Sequence, residues 1–223
     1  MLEVIVFAEG QSEEQFLKRV VAPSLHTRQV YVKAQTLKTS QQGSGGAVSF
    51  GRLLFYARNA LRQSPKVVLS TFLDLYGLDT DFPEFEAAKK LISVSDRVQK
   101  LEAALHRVVV NEVGCRPDRF IPHIQPYEFE GLLFADVAAL SKTEPGWVRY
   151  LSQLSAIRNK FETPEHINDS YETKPSSRLE SLLQPQYKKT RHGPLAAGRV
   201  TLETMEAECP HFRGWMTRLR ELL

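Results

Sequence analysis

The chain has 223 residues, 42% hydrophobic and 25% charged, with no low-complexity tract. That length and mix suit one sizeable folded unit and exclude a disordered or collagen-like chain. The net charge of +3 does not by itself dictate a polyanionic partner, and two distant cysteines, Cys115 and Cys209, give neither a disulfide framework nor a zinc-finger spacing, so both are read as reduced thiols.

The opening Met1-Leu2-Glu3-Val4 lacks the basic stretch of a secretory signal. No apolar run approaches the roughly 18 residues needed to cross a bilayer, so a cytoplasmic protein with no membrane partner is expected. Leu2 to Ala8 is nearly all apolar and reads as a first strand buried on both faces, ended by Glu9-Gly10. Ser12-Glu13-Glu14-Gln15 has the form of a capping box and opens a helix to about Pro23. A second strand fits Val30 to Leu37, a glycine-rich connection follows at 41–46, and a helix is expected from Ser49 to Arg62. That glycine-rich stretch lacks the Gly-Lys-Ser/Thr ending of a P-loop and is assigned no nucleotide.

Val67 to Asp74 is the third strand, and Phe85 to about Val113 carries helical patterning. Phe120 to Gln125, interrupted by Pro122, reads as a fourth strand at a sheet edge. An apolar helix is expected from Gly131 to Leu140. Beyond Lys142 come short helices with proline and polar turns, a second capping box at Ser177 to Glu180, and a last helix from His211. Strands alternating with helices predict an α/β core at 1–140, with a mainly parallel four-stranded sheet of order 2-1-3-4, and a helical C-terminal extension at 141–223 packed on it.

In such a sheet ligands collect at the carboxyl ends of strands where the order reverses. Glu9 ends the first strand and Asp74 the third, so neighbouring strands bring the two carboxylates together. Anions that close repel unless a hard divalent cation sits between them, and Mg2+, or Mn2+, suits a sparse carboxylate site. Taken alone, Glu9 reads better as a cap of the following helix and Asp74 as a cap of its own turn; it is the pair that points to a metal. Glu128 and Glu130 join the site if Tyr127 to Glu130 is extended, and at most one joins if the stretch is helical. Glu13 and Glu14 suit a helix N-terminus, with Glu13 within range of the site. Asp79 and Asp81 read as loop residues before Pro83. His123 is a candidate acid or base beside the site or a packed core residue, whereas His192 and His211 are placed in polar turns.

Between Lys174 and Arg199 six basic residues face one acid. Lys174, Arg178, Lys188, Lys189 and Arg191 therefore form a candidate nucleic-acid contact, with a solvated face or a docking surface as the alternative.

Five stretches in order, "AEGQSEEQF" at 8–16, "FLDLYGLDTDFP" at 72–83, "FIPHIQPYEFEGLLF" at 120–134, "INDSYETKPSSRL" at 167–179 and "CPHF" at 209–212, resemble the bacterial domain-of-unknown-function family DUF4276. More distantly the chain is similar to the Toprim class, including the overcoming-lysogenization-defect nucleases. That resemblance implies a Toprim-like (Rossmann-like) α/β fold, magnesium-dependent phosphodiester chemistry and an ATPase partner in phage-defence or restriction clusters. Glu9 matches the Toprim glutamate and Asp74 the first aspartate of the Asp-x-Asp pair. Tyr76 stands in place of the second, a departure that leaves Glu128 or Glu130 to supply the missing ligand.

The expectation is a nuclease in which Glu9, Asp74 and Glu128, with Glu130, hold the metal, and Lys188 or Lys189 neutralises charge on the phosphate. The alternative is a non-catalytic binding or regulatory subunit of an ATPase complex.

Overall fold

The structure, a computed structural model, describes residues 2–26, 29–37, 47–168, 170 and 172–222. The connection expected at 41–46 lies outside them.

Strand β1 (Leu2–Ala8) leads through α1 (Gln11–Phe16), a π-helical turn at Leu17–Val21 and α2 (Ala22–His26) to β2 (Val30–Thr36). Then come α3 (Phe50–Gln63), β3 (Val67–Asp74), α4 (Phe85–Lys89), α5 (Val94–Val113), β4 (Phe120–Ile121) and β5 (Ile124–Gln125). The remainder is helical: a 3-10 stretch at Phe129–Asp136, α6 (Val137–Ser141), α7 (Leu151–Arg158), α8 (Pro175–Leu182), α9 (Lys189–Val200), α10 (Leu202–Glu208) and α11 (Pro210–Arg220). Among the described residues no helix is long and apolar enough to cross a membrane.

The sheet has the order β2-β1-β3-β4, with β5 also pairing with β3, and every pairing is parallel. The fold is α/β, a mostly parallel sheet flanked by helices. The expected fourth strand is two short ones, because Pro122 cannot donate to the ladder and the chain breaks pairing there.

Alternation along the strands assigns each residue to a face. Val4, Val6 and Ala8 of β1 and Val68 and Phe72 of β3 share one apolar cluster with Phe16, Leu17, Phe129, Met205, Phe212 and Trp215. Ile5, Phe7, Leu69 and Leu73 point the other way, into a cluster with α3 and α5. The first cluster centres on aromatic rings: Phe16 lies 5.0 Å from Phe129 and 5.6 Å from Phe72, and Phe72 lies 5.3 Å from Trp215. Burying such side chains stabilises by about 1.5–3 kcal/mol each. The Trp215 indole N–H donates to Ser70 Oγ at 2.9 Å, tying α11 to the middle of β3.

Several local expectations are corrected. Helix α1 begins at Gln11 with Gly10 as its N-cap, and Ser12 makes no capping bond; it is buried inside the first turn. Helix α8 starts on Pro175, so Ser177 is inside the helix and caps nothing. The long helix expected from Phe85 is two, since Ser93 Oγ accepts the Asp96 N–H and starts α5 afresh. Asp81 reaches back to accept the N–H groups of Phe50 and Gly51, capping α3 from a distant loop.

Candidate metal centre

Strands β1 and β3 are neighbours in register, Ala8 opposite Phe72, so Glu9 and Asp74 leave the sheet side by side. Glu9 Oε2 accepts the Asp74 backbone N–H at 3.3 Å. The chain passes from β1 to β2 through helices in one apolar cluster and from β2 to β3 through α3 in the other. Glu9 and Asp74 thus stand at the topological switch point.

The strand-four carboxylates arrive by a different geometry from either alternative above. Tyr127 takes a left-handed φ of 58° and redirects the chain, Glu128 is extended, and a 3-10 helix begins at Phe129. Asp74 Oδ1 accepts the Phe129 N–H at 2.8 Å, locking this turn to the end of β3. Both carboxylates face one spot despite the helical start. One oxygen each from Asp74, Glu128 and Glu130 lie within 4.8 Å of one another, a spacing that can hold a metal ion.

Two ammonium groups from the helical part complete the cluster. Glu128 Oε1 is 2.9 Å from Lys174 Nζ and 3.1 Å from Lys189 Nζ, while its Oε2 accepts the Ser176 N–H at 3.0 Å, at the start of α8. Lys189 Nζ is also 3.5 Å from Glu130 Oε2, and the Tyr187 hydroxyl donates to Glu130 Oε1 at 3.3 Å. Lys189 opens α9, which packs against α1.

Burial of so many acids decides their protonation. Glu9 and Glu130 are each pushed up to about 7, chiefly by burial. Burial, then the Glu9 charge, raises Asp74 well above the usual carboxylate range, and burial raises Glu13 too. Glu128 is the exception: burial pushes it up, but Lys189, Ser176 and Lys174 together hold it below its ordinary value. For Lys189, burial works against the charge, and Glu130, Glu128 and Asp74 outweigh it and raise its pKa.

Of the residues singled out from the sequence, Glu9, Asp74, Glu128, Glu130 and Lys189 come together, joined by Lys174. Glu13 is buried and its charge acts on Glu9 and Asp74, so it belongs to the cluster. The Tyr76 hydroxyl accepts from the Asn168 amide. Arg178 packs its guanidinium on the Phe161 ring. Lys188 and Arg191 are exposed around the first turn of α9, with Arg191 3.1 Å from Glu144. His123 is buried against Phe72 and Trp215. His192 is also buried, in α9 and not in a polar turn, and its Nδ1 accepts the Lys188 N–H at 2.8 Å. His211 is the second residue of α11. Tyr187 and Ser176 also touch the cluster, and nothing local in the sequence distinguishes them from core or cap residues.

Fold and site together define an α/β protein with a buried carboxylate–lysine cluster at its switch point. Residues 8–220 match the family described as Domain of unknown function (DUF4276), and the chain belongs to that family. The C-terminal region of the OLD protein of Xanthomonas campestris pv. campestris is similar in structure, with a TM-score of 0.45 over 98% of this chain and 94% of that one, at 13% identity. No curated protein matches the chain.

Proposed function

We propose that this protein is a magnesium-dependent nuclease that hydrolyses phosphodiester bonds in DNA or RNA, working beside an ATPase partner. The observation that carries the reading is the convergence of Glu9 after β1, Asp74 at the end of β3, and Glu128 and Glu130 from the turn after β5, with one oxygen each from Asp74, Glu128 and Glu130 within metal-ligand spacing. The donor set fits the ion: only hard carboxylate oxygens, close enough to repel one another when charged. Asp74, Glu128 and Glu130 would hold it, with Glu9 beside them. When bound, Mg2+ supplies Lewis-acid polarisation of a phosphate and a lowered pKa for a bound water.

The other roles belong to the chain itself. Lys189, about a third exposed at 37%, offers its ammonium to charge developing on the phosphate. Lys188 and Arg191 extend that positive edge into solvent, where a nucleic-acid backbone is met by charge and not by sequence. Lys174 is committed to Glu128 and Arg178 packs on Phe161. Purified protein with Mg2+ is expected to cut DNA or RNA, and Asp74→Asn to abolish cutting while leaving the circular dichroism spectrum unchanged. Cutting that survives the substitution intact sinks the assignment.

A second reading, a non-catalytic regulatory subunit, is favoured by one observation. Lys174 and Lys189 both sit on Glu128 Oε1, so the chain's own ammonium groups already neutralise part of the cluster. It predicts a stable complex with the ATPase and no Mg2+ heat of binding to the isolated chain.

A further inference from the structure

A second cluster of ligand-type side chains shares no residue with the carboxylate centre. Glu102 projects from the middle of α5, His123 occupies the break between β4 and β5, and His211 opens α11. One ligand atom from each lies within 4.8 Å of the others. Glu102 Oε1 is 2.9 Å from His211 Nε2 and 3.7 Å from His123 Nδ1.

The proton on His123 can be placed from its neighbours. Its Nε2 is 3.2 Å from Gln125 Oε1, an oxygen that only accepts, so Nε2 carries the hydrogen. Nδ1 then turns a lone pair toward the Glu102 carboxylate across a gap too long for a hydrogen bond. Glu102 Oε1 already accepts from His211 Nε2 and the Ile124 N–H, so the His123 lone pair beside it is the electron-pair donor left over, and a cation or a water in the adjoining cleft can bridge the two. A second-sphere acceptor on the far ring nitrogen is also how proteins orient a metal-binding histidine. Glu102 is held in place as well, because Ile124 N–H donates to its Oε1 at 2.7 Å.

These three side chains border a cleft of about 330 Å³, whose wall also includes Ser95, Trp215 and Arg218. That space is sufficient for an ion, its waters and a small ligand. Two imidazoles with one carboxylate form a borderline-soft donor set, unlike the all-oxygen centre, and three protein ligands beside an open cleft leave a coordination position free.

We propose that Glu102, His123 and His211 form a binding site for a divalent transition-metal ion of the zinc class, with its open position facing the cleft and the Arg218 side favouring an anionic ligand there.

Chelator-stripped full-length protein, titrated with Zn2+ by calorimetry and with Co2+ by visible absorption, tests this. One Zn2+ equivalent is expected to survive Asp74→Asn, to weaken at least about 100-fold in Glu102→Gln and in His211→Ala, and to raise the melting temperature of the wild type but of neither cleft variant. Glu102→Gln keeps the size and hydrogen-bonding capacity of the side chain, so it decides the matter should His211→Ala misfold. Unchanged Zn2+ affinity in Glu102→Gln, absence of a Co2+ d–d band, or loss of the Zn2+ equivalent in Asp74→Asn would each overturn the proposal.

Discussion

A Cβ placed on Gly77 falls 1.9 Å from Glu9 Oε2, so the carboxylate leaving β1 lies flush against the turn that follows β3. No side chain fits between them, and this is the physical demand for glycine after Tyr76. The same close approach lets Glu9 reach the Asp74 N–H.

Gly77→Ala is therefore expected to swing Glu9 out of the cluster and to weaken Mg2+ binding and cutting by about tenfold or more. The melting temperature should stay within a few degrees, since the displaced atoms end a flexible side chain. Calorimetry and a thermal melt on one preparation check both halves. Unchanged Mg2+ affinity would place Glu9 outside the metal site.

Lys189→Met removes an ammonium shared by Glu128 and Glu130. Breaking a fully buried pair costs about 3–5 kcal/mol, and the exposure of Lys189 reduces that to roughly 1–3 kcal/mol. The loss should appear as a lowered urea midpoint, and millimolar Mg2+ should restore part of it by replacing the missing charge. Lys189→Arg, which keeps the charge, should lose less.

Acid should favour the metal-free fold. Glu9 and Glu130 have folded pKa values of about 7 against an ordinary 4.5. Each binds its proton more tightly when folded, so the stabilisation is present at low pH and is lost as pH rises from about 4.5 to about 7. Glu128, shifted the other way, opposes this only below its ordinary value. In chelator the melting temperature should fall between about pH 5 and about pH 8, while the rise produced by Mg2+ should grow over the same interval as the carboxylates ionise. A Mg2+ effect that shrinks with pH would contradict the carboxylate site.

The last helix hangs on one acid. Glu165 is buried and accepts the N–H groups of His211 at 2.9 Å and Phe212 at 3.0 Å, serving as a distant N-cap for α11. Glu165→Ala should cost about 1–2 kcal/mol in denaturant unfolding by leaving both donors unpaired. It should also loosen the Trp215 contact with Ser70, read as a change in tryptophan fluorescence in the folded baseline.

Much of the architecture is legible in the sequence because its causes are local. Strands buried on both faces show as apolar runs, Val4 to Ala8 without a break and Val67 to Leu73 interrupted only by Ser70 and Thr71, and right-handed crossovers then leave few strand orders. Helix starts are less local. Ser12 and Ser177 have the spelling of capping boxes, yet tertiary packing buries the first inside a turn and Pro175 starts the second helix earlier. The residue pattern around Glu128 and Glu130 allows an extended or a helical path, and the left-handed Tyr127 produces a third that the pattern of residue types does not encode.

Periodic burial and strand-end position were enough to establish the α/β layout and to place Glu9 and Asp74 on adjoining strands. Which other side chains join them was settled by packing: α9 against α1 delivers Lys189, α8 delivers Ser176 beside Lys174, and α11 brings His211 to Glu102 and His123. A carboxylate or imidazole has the same local signature whether it caps, packs or ligates. Only contacts between segments far apart in the chain separate those fates, and they arise from the summed burial of many apolar residues, not from the spelling around any one of them.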